Sequence, residues 1–329
     1  MIMKKSLIFL LTNLFILFSC AKEKSNKQVD EPNHKKYVVG YLFANDSLLS
    51  SARKVDFSKI THLNVAFINP NASGAFVLVS GLKEAVALAH DKGVKVFASF
   101  AGGSPPEHIK QLLIPTNQKT LIASFAKLID DYNLDGIDVD LEGDFIDANY
   151  ESFVMGLAKM LSSKNKLMTA AVATWTSDRI SDKALQAYDL VHIMSYDHTG
   201  PWNKTKVGQH ASYEDMDIDF KHWRDVRQVP ANKLTIGLPF YGYGFGPAIA
   251  DDITFGELIK RYPQSFDQDE TSIPDQGTFY YNGTVTIKKK TEYAVKQGAA
   301  GVMIWHLLAD TEGKHSLLKV IDTTFQKSK

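Results

Sequence analysis

Three acidic residues spaced two apart within an apolar run constrain this chain more than any other feature. The stretch is Asp135-Gly136-Ile137-Asp138-Val139-Asp140-Leu141-Glu142-Gly143. As a β-strand it alternates between two faces with a period of two. Ile137, Val139 and Leu141 then share one face, and Asp138, Asp140 and Glu142 the other. Like charges crowded into a low dielectric cannot all stay ionised, and a fold rarely carries that cost for stability alone. A solvated acidic edge strand, or an acidic cap on the next helix, would not need the three apolar residues in between. The interleaving, bracketed by two glycines, points to a central strand whose acidic face is functional.

The rest of the chain supplies a frame for such a strand. Short β-branched runs alternate with longer amphipathic ones: strands at Tyr37–Phe43, Ile60–Ile68, Lys95–Ser99, the acidic strand, Leu167–Ala173, Leu190–Ser195, Lys233–Leu238 and Gly301–Trp305. Helical spacing is expected over Gly81–Lys92, Leu121–Tyr132, Tyr150–Leu161, Asp182–Tyr188, Tyr213–Val226, Thr291–Gln297 and Ser316–Phe325. Gly93 suits the left-handed position after a helix. Tyr241–Lys290 reads as an excursion with short strands near Thr278–Tyr281 and Thr284–Ile287. Eight strands alternating with helices predict an α/β fold, a (β/α)₈ TIM barrel with a short insertion between strands seven and eight. A doubly wound open sheet is disfavoured, because no glycine-rich phosphate loop follows the first strand.

The N-terminus reads differently. Lys4 and Lys5 precede an apolar run, Leu7 to Phe18, of about a dozen residues, shorter than the roughly 20 needed to span a bilayer. It has the character of a signal peptide. Leu17-Phe18-Ser19-Cys20 resembles the lipobox of bacterial lipoproteins, which makes Cys20 the expected lipidation site; an ordinary signal peptide with an incidental cysteine is the alternative. Three segments follow: a signal peptide over 1–19, a polar tether over 20–36, and a catalytic barrel over 37–329. The expected location is the bacterial cell envelope, with the membrane engaged through the lipid. Cys20 is the single cysteine, so neither a disulfide nor a cysteine-based metal site is available to the barrel. With 37 basic and 37 acidic residues the chain is formally neutral, which gives no nucleic-acid footprint. A monomer is expected.

In a TIM barrel the reactive groups stand where strands end on the C-terminal face. The strand ends collect Tyr41, Ser99, the three acids of the fourth strand, Met194, Tyr196, Asp197, Tyr241 and Trp305. Carboxylates with several tyrosines and a tryptophan describe a carbohydrate site, in which aromatic faces stack on sugar rings. The ten histidines show no metal-ligand spacing such as HExxH, and His192 and His306 read as satisfied core or rim residues. No metal and no cofactor are expected.

Several of these elements together resemble glycoside hydrolase family 18, the chitinase family. Asp135-x-x-Asp138-x-Asp140-x-Glu142 matches its DxxDxDxE signature. Met194-Ser195-Tyr196-Asp197 resembles its MxYD element, and Gly237-Leu238-Pro239-Phe240-Tyr241-Gly242 its seventh-strand motif. Gly301–Trp305 is similar to its eighth strand with a floor tryptophan, and Gly200-Pro201-Trp202 and His210 fall where chitinases carry similar residues. The resemblance implies a retaining enzyme in which the substrate's 2-acetamido oxygen, rather than a second carboxylate, attacks the anomeric carbon. It casts Glu142 as general acid and then base. Asp140 would turn toward Glu142 and share a proton with Asp138. Tyr196 and Asp197 would hold the acetamido group, with Trp305 as stacking floor and Tyr41, Met194, Ser99, Tyr241 and Trp202 lining the sugar site. Asp135 is expected to brace the strand start.

The implied partners are oligo- and polysaccharides of N-acetylglucosamine, with chitin or chitooligosaccharides in the lead. An endo-β-N-acetylglucosaminidase acting on N-glycan chitobiose cores, and a non-catalytic sugar-binding protein on the same barrel, are the alternatives. Three departures from the family pattern stand out. Its SxGG appears as Ser99-Phe100-Ala101-Gly102-Gly103, one residue too long, so that either Ser99 keeps its place beside a bulge or the register shifts. Ser104 stands where an aromatic platform is common, and Tyr243 where many chitinases have arginine.

Overall fold

The structure, a computed structural model, describes residues 36–45 and 47–328. The expected signal segment, Cys20 and all of the tether before Lys36 lie outside the described residues. In chain order the strands are β1 (Tyr37–Phe43), β2 (His62–Ala66), β3 (Lys95–Gly102), β4 (Gly136–Leu141), β5 (Leu167–Val172) and β6 (Leu190–Ile193). They continue with β7 (Leu234–Pro239), β8 (Tyr241–Phe245), β9 (Asp252–Thr254), β10 (Glu270–Ile273), β11 (Gly277–Tyr280) and β12 (Gly301–Trp305). Eight of them close a parallel barrel in the order β1-β12-β7-β6-β5-β4-β3-β2. The other four form a small antiparallel sheet, β10-β11-β8-β9, between β7 and β12. The expected barrel and insertion are both present.

Alternation along each barrel strand divides the interior into two layers. Val38, Leu63, Val96, Ile137, Val139, Ala170, Val191, Ile236 and Val302 point outward into the main core beneath the helices. The residues between them point into the barrel: Val39 and Tyr41, Asn64, Ser99, Asp138, Thr169, His192, Thr235 and Met303. The apolar part of that inner set is small, Val39, Tyr41, Ala66 and Met303. The barrel centre is polar, and its groups must be paired to be tolerated.

One local expectation is corrected. Thr284–Ile287 is not a strand but the first turn of a helix, Thr284–Lys296, of which the expected Thr291–Gln297 is the second half. A run of β-branched residues suggested a strand. Tertiary burial decides otherwise: Thr286, Ile287, Lys290, Thr291, Tyr293 and Ala294 are buried at helical spacing. Asp269 also satisfies the helix start, accepting from Gly283 N at 3.0 Å and Thr286 Oγ1 at 2.6 Å. The helix expected from Leu121 begins earlier, at Pro115, with proline in its first turn. The helix expected over Tyr213–Val226 is α-helical to Lys221 and then a π turn, His222–Val226. No helix among the described residues is long and apolar enough to cross a membrane.

Candidate active site

The site is built on the acidic strand. Parallel register sets Ser99 and Thr169 beside Asp138 on the two neighbouring strands. Asp138 is fully buried. Three hydroxyls donate to it: Tyr41 Oη at 2.7 Å and Ser99 Oγ at 2.8 Å to Oδ2, and Thr169 Oγ1 at 2.6 Å to Oδ1. His192 Nε2 stands 3.7 Å from Oδ1, and its other nitrogen meets Thr235 Oγ1 at 2.7 Å. Burial pushes the His192 imidazole down, which keeps it neutral. Among the described residues neither its Nε2 nor His306 Nδ1 meets a hydrogen-bond partner. Asp135 braces the strand start as expected, accepting from Val96 N and paired with His90 Nε2, both at 2.8 Å.

Asp140 and Glu142 form the reactive pair. Both carboxyls are raised from their ordinary range, first by burial. For Asp140 the neighbouring Glu142 and Asp138 charges and a hydrogen bond to Glu142 add to this. Glu142 is pushed up to about 7 by burial and then by the Asp197 charge, while the hydrogen bond from Asp140 acts the other way. The directions describe a protonated Asp140 donating to Glu142. Asp138, for its part, already accepts from three hydroxyls. Among the described residues Asp140 Oδ1 has no hydrogen-bond partner. Past Glu142 the chain turns away through Gly143, whose φ is +53°.

The long SxGG element resolves with Ser99 in place. β3 runs through to Gly102, Ser99 stays opposite Asp138, and the extra residue is absorbed where Ala101 (φ +83°) and Gly102 (φ +87°) turn left-handed. Asn69 pins this kink from both sides: its Oδ1 accepts from Ala101 N at 2.8 Å and its Nδ2 donates to Ala101 O at 3.1 Å. Gly103 then passes so close to the acid that a Cβ there would lie 3.2 Å from Glu142 Oε1.

Across the mouth stand Tyr196 and Asp197. The Tyr196 hydroxyl contacts only the weak acceptor Met303 Sδ, at 3.8 Å, among the described residues. Burial and the Asp140 charge push its pKa well up, so it remains a donor. Asp197, at φ +63°, accepts from Tyr241 Oη at 2.5 Å. The Tyr243 hydroxyl also hydrogen-bonds to it. Buried His210 puts Nδ1 3.3 Å from Asp197 Oδ1 and 3.4 Å from its backbone nitrogen; burial holds this imidazole neutral as well. Two phenols and a neutral imidazole thus orient Asp197.

Trp305 is half-buried at the end of β12. Its ring stacks on Phe67 (centroids 5.6 Å, planes 21° apart) and is met edge-on by Tyr41 and Phe43. Met194, like Trp305, packs against the buried cluster of Val39, Tyr41, Ala66 and Met303. Trp202 is exposed and rests against Tyr243, with centroids 5.1 Å apart. Tyr41 and Ser99, expected at the sugar site, are fully buried, and both hydroxyls are donated to Asp138. Thr169, Asn69 and the Tyr243–Asp197 bond escaped the sequence reading. Thr169 was readable as the inward residue of the strand after the acidic one. Among the described residues no group of three or more His, Cys, Asp or Glu could hold a metal.

A closed (β/α)₈ barrel with buried Asp140 beside half-buried Glu142, and with tyrosines and a tryptophan at its C-terminal mouth, defines a glycoside hydrolase site. The sequence profile described as Glycosyl hydrolases family 18 matches residues 36–310, and the chain belongs to that family. Among solved structures it resembles the GH18 chitinase ChiB from the chitin utilization locus of Flavobacterium johnsoniae. The TM-score is 0.82 and the identity 38%, covering 89% of this chain and 94% of the other. A chitinase from Bacteroides thetaiotaomicron superposes with TM-score 0.79 at 28% identity, covering 89% and 97%. A class V chitinase of Arabidopsis thaliana is 25% identical over 78% of this chain and 82% of its own length.

Proposed function

We infer that this protein is a retaining, substrate-assisted glycosidase that hydrolyses β-1,4 bonds of N-acetylglucosamine polymers, chitin or chitooligosaccharides. The observation that carries the reading is the Asp140–Glu142 pair, one acid poised at about 7 beside a carboxyl that keeps its proton. Glu142 gives its proton to the leaving oxygen and afterwards takes one from water, which requires a pKa near the working pH. Asp140 faces the same space and orients the acetamido group, whose oxygen attacks the anomeric carbon. The Tyr196 hydroxyl donates to the acetamido oxygen and fixes it for attack as the oxazolinium forms, and Trp305 carries the sugar ring. Asp138 and its three hydroxyls position Asp140 from below.

The test is mass spectrometry of products from the full-length protein given chitohexaose together with a high-mannose glycoprotein, with Glu142→Gln as control. Shortened chitooligosaccharides from the wild type alone are expected. Glycan released with one N-acetylglucosamine left on the protein would replace the reading by the endoglycosidase one, and binding without any cleavage by the sugar-binding one. A lipoprotein anchored in the bacterial cell envelope through Cys20 is proposed on the sequence pattern of residues 1–20. Incorporation of labelled palmitate by the wild type and its loss in Cys20→Ser would support it, and equal incorporation would end it.

A further inference from the structure

We propose that Trp175 is the stacking platform for the sugar on the leaving-group side of the bond, held rigid by the turn Thr174–Arg179 and the π turn behind it. The proposal rests on the glycosidase reading above and deepens it. Trp175 is 68% exposed, a large apolar ring left in water at the catalytic mouth. It belongs to the turn after β5, and its Cη2 would stand 3.7 Å from a Cβ on Gly143, the residue that follows Glu142.

Barrel order says which end of the substrate this is. In the closed ring β4 is the fourth strand from β12 in either direction, so Glu142 stands across the mouth from Trp305. A sugar seated on Trp305 would bring its leaving oxygen to Glu142, and the proximity of Trp175 to Gly143 assigns the chain beyond that oxygen to the β4–β5 rim. Trp175 is the exposed ring at that rim. Ser104, where a platform is otherwise expected, has none to offer.

The turn is built to hold still. Thr174 Oγ1 accepts from Trp223 Nε1 at 3.2 Å, Ser177 Oγ meets His222 Nε2 at 2.8 Å, and Arg227 donates to the carbonyls of Ser177 and Ile180. Arg179 ties the same turn to Gly143 O and to Asp144, both at 3.0 Å. Trp223 and His222 lie in the π turn His222–Val226, a distortion that often marks functional places. Here it aims both rings at the back of the turn, while Thr176 and Ser177 are buried. An exposed indole on so fixed a backbone loses little freedom when a sugar stacks on it.

The experiment compares the full-length wild type, Trp175→Ala and Trp175→Phe on chitohexaose and on chitobiosyl fluoride, whose leaving group has no ring to stack. The loss in kcat/KM from Trp175→Ala should be three- to tenfold greater on chitohexaose than on the fluoride, from about one stacked ring. The product pattern should shift, and Trp175→Phe should recover part of both. Equal losses on the two substrates would make Trp175 merely structural, and no loss on chitohexaose would remove it from the site. If the wild type cleaves neither, the glycosidase reading falls, and the platform is tested by tryptophan emission of Glu142→Gln titrated with chitohexaose. A smaller change in the Glu142→Gln, Trp175→Ala double variant, the remainder coming from Trp305, sustains the platform; an equal change in both overturns it.

Discussion

Removing the Thr169 hydroxyl should cost more than removing either of the other two hydroxyls that hold Asp138. Asp138 is fully buried, and its two oxygens are served unequally. Among the described residues Oδ2 accepts from both Tyr41 and Ser99, whereas Oδ1 accepts from Thr169 alone, with His192 Nε2 too distant at 3.7 Å to bond. A hydrogen bond to a charged group contributes roughly 1.5–3 kcal/mol, and a buried acceptor left without any donor adds its desolvation cost. Thr169→Val keeps the β-branched shape that suits β5 and strips Oδ1 of its donor, so a loss of about 2–3 kcal/mol is expected. Ser99→Ala leaves Tyr41 on Oδ2, so its loss should be about 1–1.5 kcal/mol. Urea unfolding followed by tryptophan fluorescence separates the two. With an m-value of about 3 kcal/mol/M, the Thr169→Val midpoint should lie about 0.2–0.7 M below that of Ser99→Ala. Equal midpoints, or the reverse order, would show that His192 or another donor serves Oδ1 and that the asymmetry does not govern stability.

Further outcomes follow from the same site. Glu142 at about 7 must be protonated to act as acid, so kcat/KM on chitohexaose should fall as pH rises through about 7; a profile flat to pH 9 would remove Glu142 from that role. Because the folded-state pKa is raised, proton binding favours the fold at low pH, and this contribution is lost as pH rises from the model-compound range through about 7. Glu142→Gln should therefore gain stability over the wild type at pH 8 and lose the advantage below pH 4, as read from paired thermal melts; a pH-independent difference would contradict it. Tyr196→Phe should lower kcat by about 10- to 1000-fold, and an effect confined to KM would reduce Tyr196 to a positioning residue. Gly103→Ala would place a methyl 3.2 Å from Glu142 Oε1; kcat should drop while the urea midpoint changes little, and unchanged kcat would show that the Glu142 side chain has room to give.

The barrel was legible because its strands obey a two-residue period with a buried face on each side: Tyr37–Phe43 and Gly301–Trp305 fall at the expected residues. The insertion was less so. In β8 every second residue is glycine, so the sequence reading places Tyr241, Tyr243 and Phe245 in the excursion without a strand of their own, although their side chains share one face of a sheet. Thr284–Ile287 misled because local β preference was stronger than the helical burial that only the packed fold reveals. At the site, the residue types that do chemistry were legible from strand ends. What holds them was not: the kink at Ala101, the Tyr243 bond to Asp197 and the buttressed turn under Trp175 depend on contacts between segments far apart in sequence.

The central claim, that the substrate's own acetamido oxygen is the nucleophile and Glu142 the acid, is tested most directly by proton NMR of the first products. The full-length protein is given chitohexaose and, separately, its fully de-N-acetylated counterpart. The account predicts β-anomeric reducing ends from chitohexaose at early times and no cleavage of the deacetylated chain. First-formed α-anomer, or cleavage of both substrates at similar rates, would contradict it.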